Sequence, residues 1–205
     1  TQGAGSVAML VEDNPKLIAI ELKNIGYFSS DVDDFFRPLG QSTANVRGRF
    51  SIECYTQAFN HALVDLGNQL HSSPEHILKE SDIIVCHSPF KTLPENTLIN
   101  LIQNYLQLDI DSARRFLDQR MFFEPTTKVS QVGNLYTGSM FFCLYHTLHS
   151  LHKKISSDIE DQDVLFMSYG SGNTMLVFRG RIVSGASKII RTWKTFDEMI
   201  QLDDG

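Results

Sequence analysis

Blocks and alternations of apolar and polar positions divide the chain into short elements. Residues 6–11 (SVAMLV) are almost wholly apolar and read as a buried strand. Residues 16–22 (KLIAIEL) follow the Asn14-Pro15 turn signal and read as a second strand. Residues 28–49 carry no regular period and read as a long irregular excursion around Pro38, of a length often tied to function or subunit contact. Over 51–71 the period changes: Ile52, Tyr55, Phe59, Leu63, Leu66 and Leu70 recur at three and four, as on one face of a helix. Ser73-Pro74 reads as the start of a short helix. Residues 83–86 (IIVC) form a strand-length apolar run, and 94–107 return to helical spacing. Asp111 is the expected cap of the next helix, with Ala113, Phe116 and Leu117 on its inner face. Residues 126–133 read as a polar loop, with a long helix from Gly133-Asn134 to about Leu151. Strands are expected over 164–168 and 174–183, joined by a turn at Tyr169-Gly-Ser-Gly172 and bent at Gly180. Phe196-Asp-Glu-Met-Ile reads as a terminal helical turn. The mixture of strands and helices predicts a layered α/β fold.

Composition narrows the functional classes. The chain has 205 residues, 42% of them hydrophobic, enough for one sizeable core. Its net charge is −6 and it has no long basic run, which disfavours a nucleic-acid face built on phosphate neutralisation. The apolar helix near 135–151 is interrupted by Thr, Ser and His, so it reads as buried and not membrane-spanning. Cys54, Cys86 and Cys143 form no CxxC pair, which suits a reducing, cytoplasmic setting without disulfides. The opening Thr1-Gln-Gly-Ala-Gly-Ser-Val leads glycines straight into an apolar run and reads as the interior of a domain.

Three loops carry candidate chemistry. His87 ends the apolar run IIVCHSPF, at a strand end where α/β proteins commonly place ligands. A neutral imidazole there can donate a hydrogen bond or move a proton, or can be a buried histidine with one backbone partner. Asn134 in QVGNLYTGS can cap a helix or donate to a substrate oxygen, and Gly133 permits close backbone approach. Ser168-Tyr-Gly-Ser-Gly172 offers backbone N–H groups and hydroxyls to an anion, or is a tight hairpin. His146, His149 and His152 lie three apart without acidic or cysteine companions, so they read as a surface face and no metal site is expected. Cys86 and His87 are neighbours on a strand and point to opposite faces, so they cannot form a nucleophile–base pair, and no cysteine reads as an activated thiol.

Taken in order, VCHSPF, QVGNLYTGS and SYGSG, together with TQGAGSVAMLV, DDFFRP (33–38) and RFSIECYTQAF (49–59), resemble the C-terminal half of the 3-hydroxy-3-methylglutaryl-CoA (HMG-CoA) synthase family. The resemblance implies a thiolase-like fold, with residues 1–205 as the second half of its layered αβαβα architecture. It implies an acyltransferase that condenses an acetyl group, held on a cysteine, with acetoacetyl-CoA. By the same resemblance His87 and Asn134 are catalytic, with His87 holding the acceptor carbonyl and Asn134 orienting the thioester. Gly133, Tyr136, Ser168 and Lys91 line the substrate site, Lys91 in a register slightly displaced from the family's CoA-binding lysine. The family's nucleophilic cysteine and its acid/base glutamate belong to the N-terminal half, so this chain alone is expected to be inactive. That half is the implied partner, in a homodimer of the complete unit. Acetyl-CoA and acetoacetyl-CoA are substrates, and no cofactor is expected.

Two other functions stay open. One is a polyketide β-branching relative acting on acyl-carrier-protein-bound β-ketoacyl chains, for which Arg47, Arg49, Arg114, Arg115 and Lys128 are the available basic residues. The other is a non-catalytic half or subunit that completes a partner's site.

Overall fold

The computed structural model describes residues 3–155, 159–195 and 198. A four-stranded sheet lies between two helical layers. In chain order the elements are β1 (Ile18–Ser29), β2 (Phe35–Phe36), β3 (Asn45–Val46), α1 (Gly48–Leu70), α2 (Pro74–Glu80), β4 (Ile83–Cys86), α3 (Thr92–Leu106), α4 (Ile110–Gln119), α5 (Phe123–Val132), α6 (Gly138–Ile155), β5 (Asp163–Gly170), β6 (Thr174–Ile182) and α7 (Ala186–Ile190). The sheet runs β1-β6-β5-β4, antiparallel except for the parallel pair of β4 and β5.

Strand alternation feeds two cores. Ile84 and Cys86 of β4, with Leu165, Met167 and Tyr169 of β5, face a cluster built on α1, α3 and α4. Ile83 and Val85, with Val164 and Phe166, face the opposite cluster against α5, α6 and α7. Burial on both faces explains why β4 reads as an unbroken apolar run.

The helix over 51–71 is present as α1, with Tyr55, Phe59, Leu63 and Leu66 buried, although Ile52 is exposed. Ser73 caps α2 by accepting the His76 N–H. The next helix is capped by Asp109, not Asp111: the Asp109 carboxylate accepts the Ser112 N–H at 2.7 Å. Two residues further back, it is the acidic side chain with the extended backbone that an N-cap needs.

Several expectations are corrected. Residues 6–11 form no strand and lie exposed, Leu10 at 83% and Val11 at 91%. An apolar run becomes a strand only where a neighbour completes its ladder, and within the described sheet this run pairs with no edge. Residues 126–132 belong to helix α5, whose Pro125, Thr126 and Val129 are buried beside α6, and Gly133 is its C-cap. The following helix begins at Gly138, because a turn over 134–137 intervenes. The 28–49 excursion ends strand β1 and contains the small β2–β3 ladder. Strand β5 runs on through Tyr169 and Gly170 before the turn. The irregular register lies in β1, between Ile20 and Ile25, opposite Phe178–Gly180. Residues 196, 197, 199 and 200 of the expected terminal turn lie outside the described residues.

Gly26 shows how tightly α1 seats on β1. A Cβ there would stand 2.2 Å from the Ala62 carbonyl oxygen and 2.5 Å from the Leu66 nitrogen. Both obstacles are backbone, which cannot swing away. Gly26→Ala is therefore expected to destabilise the protein by about 3 kcal/mol, the upper end for overpacking. A urea midpoint unchanged from that of the parent protein would contradict this packing.

Candidate active site

The site forms where the parallel strands β4 and β5 end and helix α6 begins. His87 follows β4 directly and keeps its ladder, its N–H donating to the Met167 carbonyl at 2.8 Å. The Tyr55 hydroxyl, from within α1, donates to the His87 carbonyl at 2.9 Å. Both backbone polar groups of His87 are thereby fixed, and the residue is only 9% exposed. Alternation turns its imidazole away from the Cys86 side and toward α6, where Nδ1 lies 3.0 Å from Ser139 Oγ. Ser139 Oγ is 2.8 Å from the Tyr136 carbonyl and 3.2 Å from the Ser88 nitrogen, whose N–H donates to it.

The QVGNLYTGS stretch makes the opposite wall. Gly133 ends α5 with φ 93°, a conformation that favours glycine. Asn134 Oδ1 accepts the Tyr136 N–H at 2.8 Å, so the side chain closes a turn and does not cap α6. This leaves its amide Nδ2 group as the donor end. Tyr136 takes φ 53° and exposes its ring, while its carbonyl points back to Ser139. Ser168 sits one step beyond the Cys86–Met167 pair, beside His87 and on the same face of the sheet. Lys91 is half-exposed in the residue before α3. The structure thus gathers His87, Tyr136 and Ser168 at one sheet end and links Asn134 to them through the turn. Lys91 stands apart, four residues along the chain.

A second set of contacts was not legible in the sequence. Asp34 is fully buried and accepts three hydrogen bonds: from the Tyr169 hydroxyl (2.8 Å), the Gly172 N–H (2.9 Å) and the Ser51 hydroxyl (3.1 Å). It ties the excursion, the N-terminal turn of α1 and the 170–173 hairpin into one wall beside Ser168. The Tyr169 ring lies 6.3 Å from that of His87. Two adjacent acids in DDFFRP gave the only signal. Nothing in their spacing pairs one of them with Tyr169, 135 residues away.

Electrostatics follow burial. Desolvation lowers the His87 pKa from 6.5 to about 4, partly offset by the Tyr136 carbonyl, so the imidazole is neutral near neutral pH. Cys86 lies deep in the core and its thiol is raised well above the ordinary value, and burial pushes Cys143 up to about 12. Burial also raises Cys54. Burial therefore keeps both deep thiols protonated near neutral pH. His146 departs from the expected surface face: it is buried against Phe142 and Tyr145, and burial lowers it to about 4 as well. Among the described residues no group of His, Cys, Asp and Glu is placed to hold a metal.

The two buried histidines predict a pH effect. Between pH 4 and 6.5 the unfolded chain binds protons that the folded chain excludes, so stability rises with pH across that window and is level above it. Acidification through the window is expected to cost about 3 kcal/mol for His87. Urea unfolding at several pH values should show this slope, and His87→Asn should flatten part of it. An unchanged slope in that variant would contradict the burial of a neutral imidazole.

Residues 107–204 match the family model described as the C terminal of hydroxymethylglutaryl-coenzyme A synthase. Over that span the chain is similar to the C-terminal domain of HMG-CoA synthases. The synthase of Enterococcus faecalis is 29% identical over 185 residues, covering 90% of this chain and 45% of that protein. The synthase of Haloferax volcanii is 25% identical over 241 residues, covering 100% of this chain and 51% of that protein. The fold also matches solved HMG-CoA synthase structures. An MvaS structure in complex with 3-hydroxy-3-methylglutaryl coenzyme A superposes with a TM-score of 0.72 at 21% identity, over 93% of this chain and 52% of that one. The HMG synthase of the curacin biosynthetic pathway superposes at 0.77 and 18% identity, over 93% and 48%. The mixed α/β fold is therefore the thiolase-like architecture of the synthase C-terminal domain. The chain spans about half the length of the relatives it matches. The matched span contains Gly133, Asn134, Tyr136, Ser139 and Ser168, whereas His87 and Asp34 lie before it.

Proposed function

We propose that residues 1–205 form the acceptor-holding C-terminal half of an HMG-CoA synthase-type condensing acyltransferase, working in the cytoplasm. The observation that carries this reading is His87: a buried, neutral imidazole, anchored through its backbone and Nδ1, at the sheet end shared with Ser168 and the 133–139 turn.

In this reading a cysteine outside residues 1–205 takes the acetyl group from acetyl-CoA and releases CoA thiol. The acetyl methyl loses a proton to a carboxylate that is likewise supplied from outside. The resulting carbanion attacks the ketone of acetoacetyl-CoA, whose oxygen gains the electron pair and then a proton. Water then cleaves the enzyme thioester, releasing HMG-CoA and the free cysteine. His87 donates a hydrogen bond to the acceptor oxygen as its charge develops, which lowers the barrier where donors are already in place. Asn134 Nδ2 orients the thioester, Gly133 and Tyr136 shape the wall, and Ser168 lies toward the carboxylate end of the product. Lys91 contacts CoA phosphate.

Exposed apolar residues support the need for a second half. Leu10, Val11, Leu22 and Tyr27 all lie bare on the chain by itself. Residues 1–205 made alone are expected to self-associate in sedimentation velocity, and a monodisperse, well-folded monomer would contradict this reading. In the acceptor test, the assembled protein receives acetyl-CoA with either acetoacetyl-CoA or an acetoacetyl-loaded carrier protein. Condensation on acetoacetyl-CoA is the expected outcome. Condensation only on the carrier would assign the β-branching role. No condensation with either would point to a non-catalytic half. Arg47 and Arg49, two of the basic residues open to a carrier, are already engaged by Asp33 and Glu53.

A further inference from the structure

We infer that Tyr55 is a positioning residue: its buried hydroxyl holds the His87–Ser88 peptide from the α1 side and thereby aims the His87 imidazole at the acceptor carbonyl. This inference rests on the reading of His87 as the residue that serves the acceptor.

Two peptide units flank the His87 Cα, and all four of their polar groups are bonded. Before it, the Cys86 carbonyl accepts the Ser88 hydroxyl at 3.1 Å, and the His87 N–H donates to the Met167 carbonyl at 2.8 Å. After it, the His87 carbonyl accepts the Tyr55 hydroxyl at 2.9 Å, and the Ser88 N–H donates to Ser139 Oγ at 3.2 Å. A carbonyl only accepts, so the direction of the Tyr55 bond is fixed. In a planar trans peptide the C=O and N–H point opposite ways. The His87–Ser88 unit therefore reaches to α1 with its carbonyl and to α6 with its N–H, one bond to each helical layer. The direction in which His87 leaves the backbone is set only while both ends hold.

Packing alone does not call for the Tyr55 hydroxyl. A phenylalanine would fill the same core, beside Phe59 and edge-on to Tyr169 at 5.0 Å. Burying a hydroxyl is unfavourable unless it is bonded, and this one gives its proton to the His87 carbonyl. Of the other anchors, Ser139 also touches the imidazole and Met167 acts through its backbone. Tyr55 acts on the backbone of His87 from the opposite layer. It is fully buried, so water does not readily take its place. Without the hydroxyl the carbonyl end of the peptide is free to rotate, and the imidazole turns off its line. The Tyr55 ring is held in turn, because Tyr169 is tied by its own hydroxyl to Asp34 at 2.8 Å.

The test compares four forms of the assembled protein: unsubstituted, Tyr55→Phe, His87→Ala and the double variant. Tyr55→Phe should lower the condensation kcat about tenfold with KM little changed, because a small misplacement of a reacting group slows the reaction steeply. Acetyl transfer to the cysteine should keep its rate. On the His87→Ala background Tyr55→Phe should cause no further loss, since no imidazole remains to be aimed. An equal loss on both backgrounds, or an unchanged kcat, makes Tyr55 a structural residue and overturns the inference. Carbon-13 NMR of the protein labelled at histidine reads the anchor without activity, with the His87 signals assigned by their loss in His87→Gln. Tyr55→Phe should move the His87 carbonyl upfield and its ring carbons with it. 3-Fluorotyrosine placed at Tyr55, a stronger donor of nearly the same shape, should move the carbonyl downfield, and serves if the phenylalanine variant does not fold. An unmoved carbonyl, or ring carbons that stay put while the carbonyl moves, overturns the inference. Undiminished condensation in His87→Ala removes instead the reading of His87, and the labelled carbonyl still tests the anchor.

Discussion

His87→Ala is expected to lower the condensation rate of the assembled enzyme about 10²–10³-fold, the usual loss when one oxyanion donor is removed. The substitution deletes the imidazole but leaves the backbone contacts to Met167 and Tyr55 intact. Acetyl transfer to the cysteine should proceed at close to its normal rate, since in the proposed reaction His87 serves the acceptor. Burst measurements of acetyl-enzyme formation, set beside steady-state condensation, separate the two steps. Equal losses in both steps would remove His87 from the acceptor role. Loss in neither would make it the buried histidine with backbone partners that the sequence also allows.

The second large effect concerns stability. Asp34→Ala is expected to cost about 4 kcal/mol in urea unfolding of the assembled protein. It strips the buried Tyr169 hydroxyl of its acceptor and deletes charge-assisted bonds from Ser51 and Gly172, each worth about 1.5–3 kcal/mol. The exposed Gly172 N–H can turn to water, which keeps the total below the simple sum. Asp34→Asn should lose less, because its carbonyl oxygen still accepts while its NH2 faces a donor. Activity should fall with either change, because the wall beside Ser168 loosens. A stability loss below about 1 kcal/mol for Asp34→Ala, the size of one ordinary hydrogen bond, would show that the three contacts do not hold the loops.

Legibility in the sequence followed the range of the interactions. The α1 helix, β4, β5 and β6 were readable because each buries a periodic set of side chains, and the period is local. Residues 6–11 misled because their hydrophobicity is real while their ladder partner is not among the described strands. Helix α5 was hidden by Thr126, Thr127, Lys128 and Ser130, whose polarity outweighed the few residues that it buries. Asn134 was read as a possible helix cap, but it closes a turn four residues ahead of α6. At the site, His87, Gly133 and Ser168 were readable as residues with unusual neighbours. Their meeting at one sheet end depends on the parallel pairing of β4 with β5 across about eighty residues, which no local pattern encodes. Asp34 and Ser139 went unnoticed for the same reason: Tyr169 for the one, and His87 and Ser88 for the other, come from distant parts of the chain.

The most direct test of the central claim is to map the acetyl group by peptide mass spectrometry after brief exposure of the assembled protein to acetyl-CoA. The account predicts acetylation of a cysteine outside residues 1–205, with Cys54, Cys86 and Cys143 unmodified. It further predicts that the adduct disappears on adding acetoacetyl-CoA, and does so far more slowly in His87→Ala. An acetyl group on one of the three cysteines of this chain would contradict it, as would an adduct that acetoacetyl-CoA discharges equally well without His87.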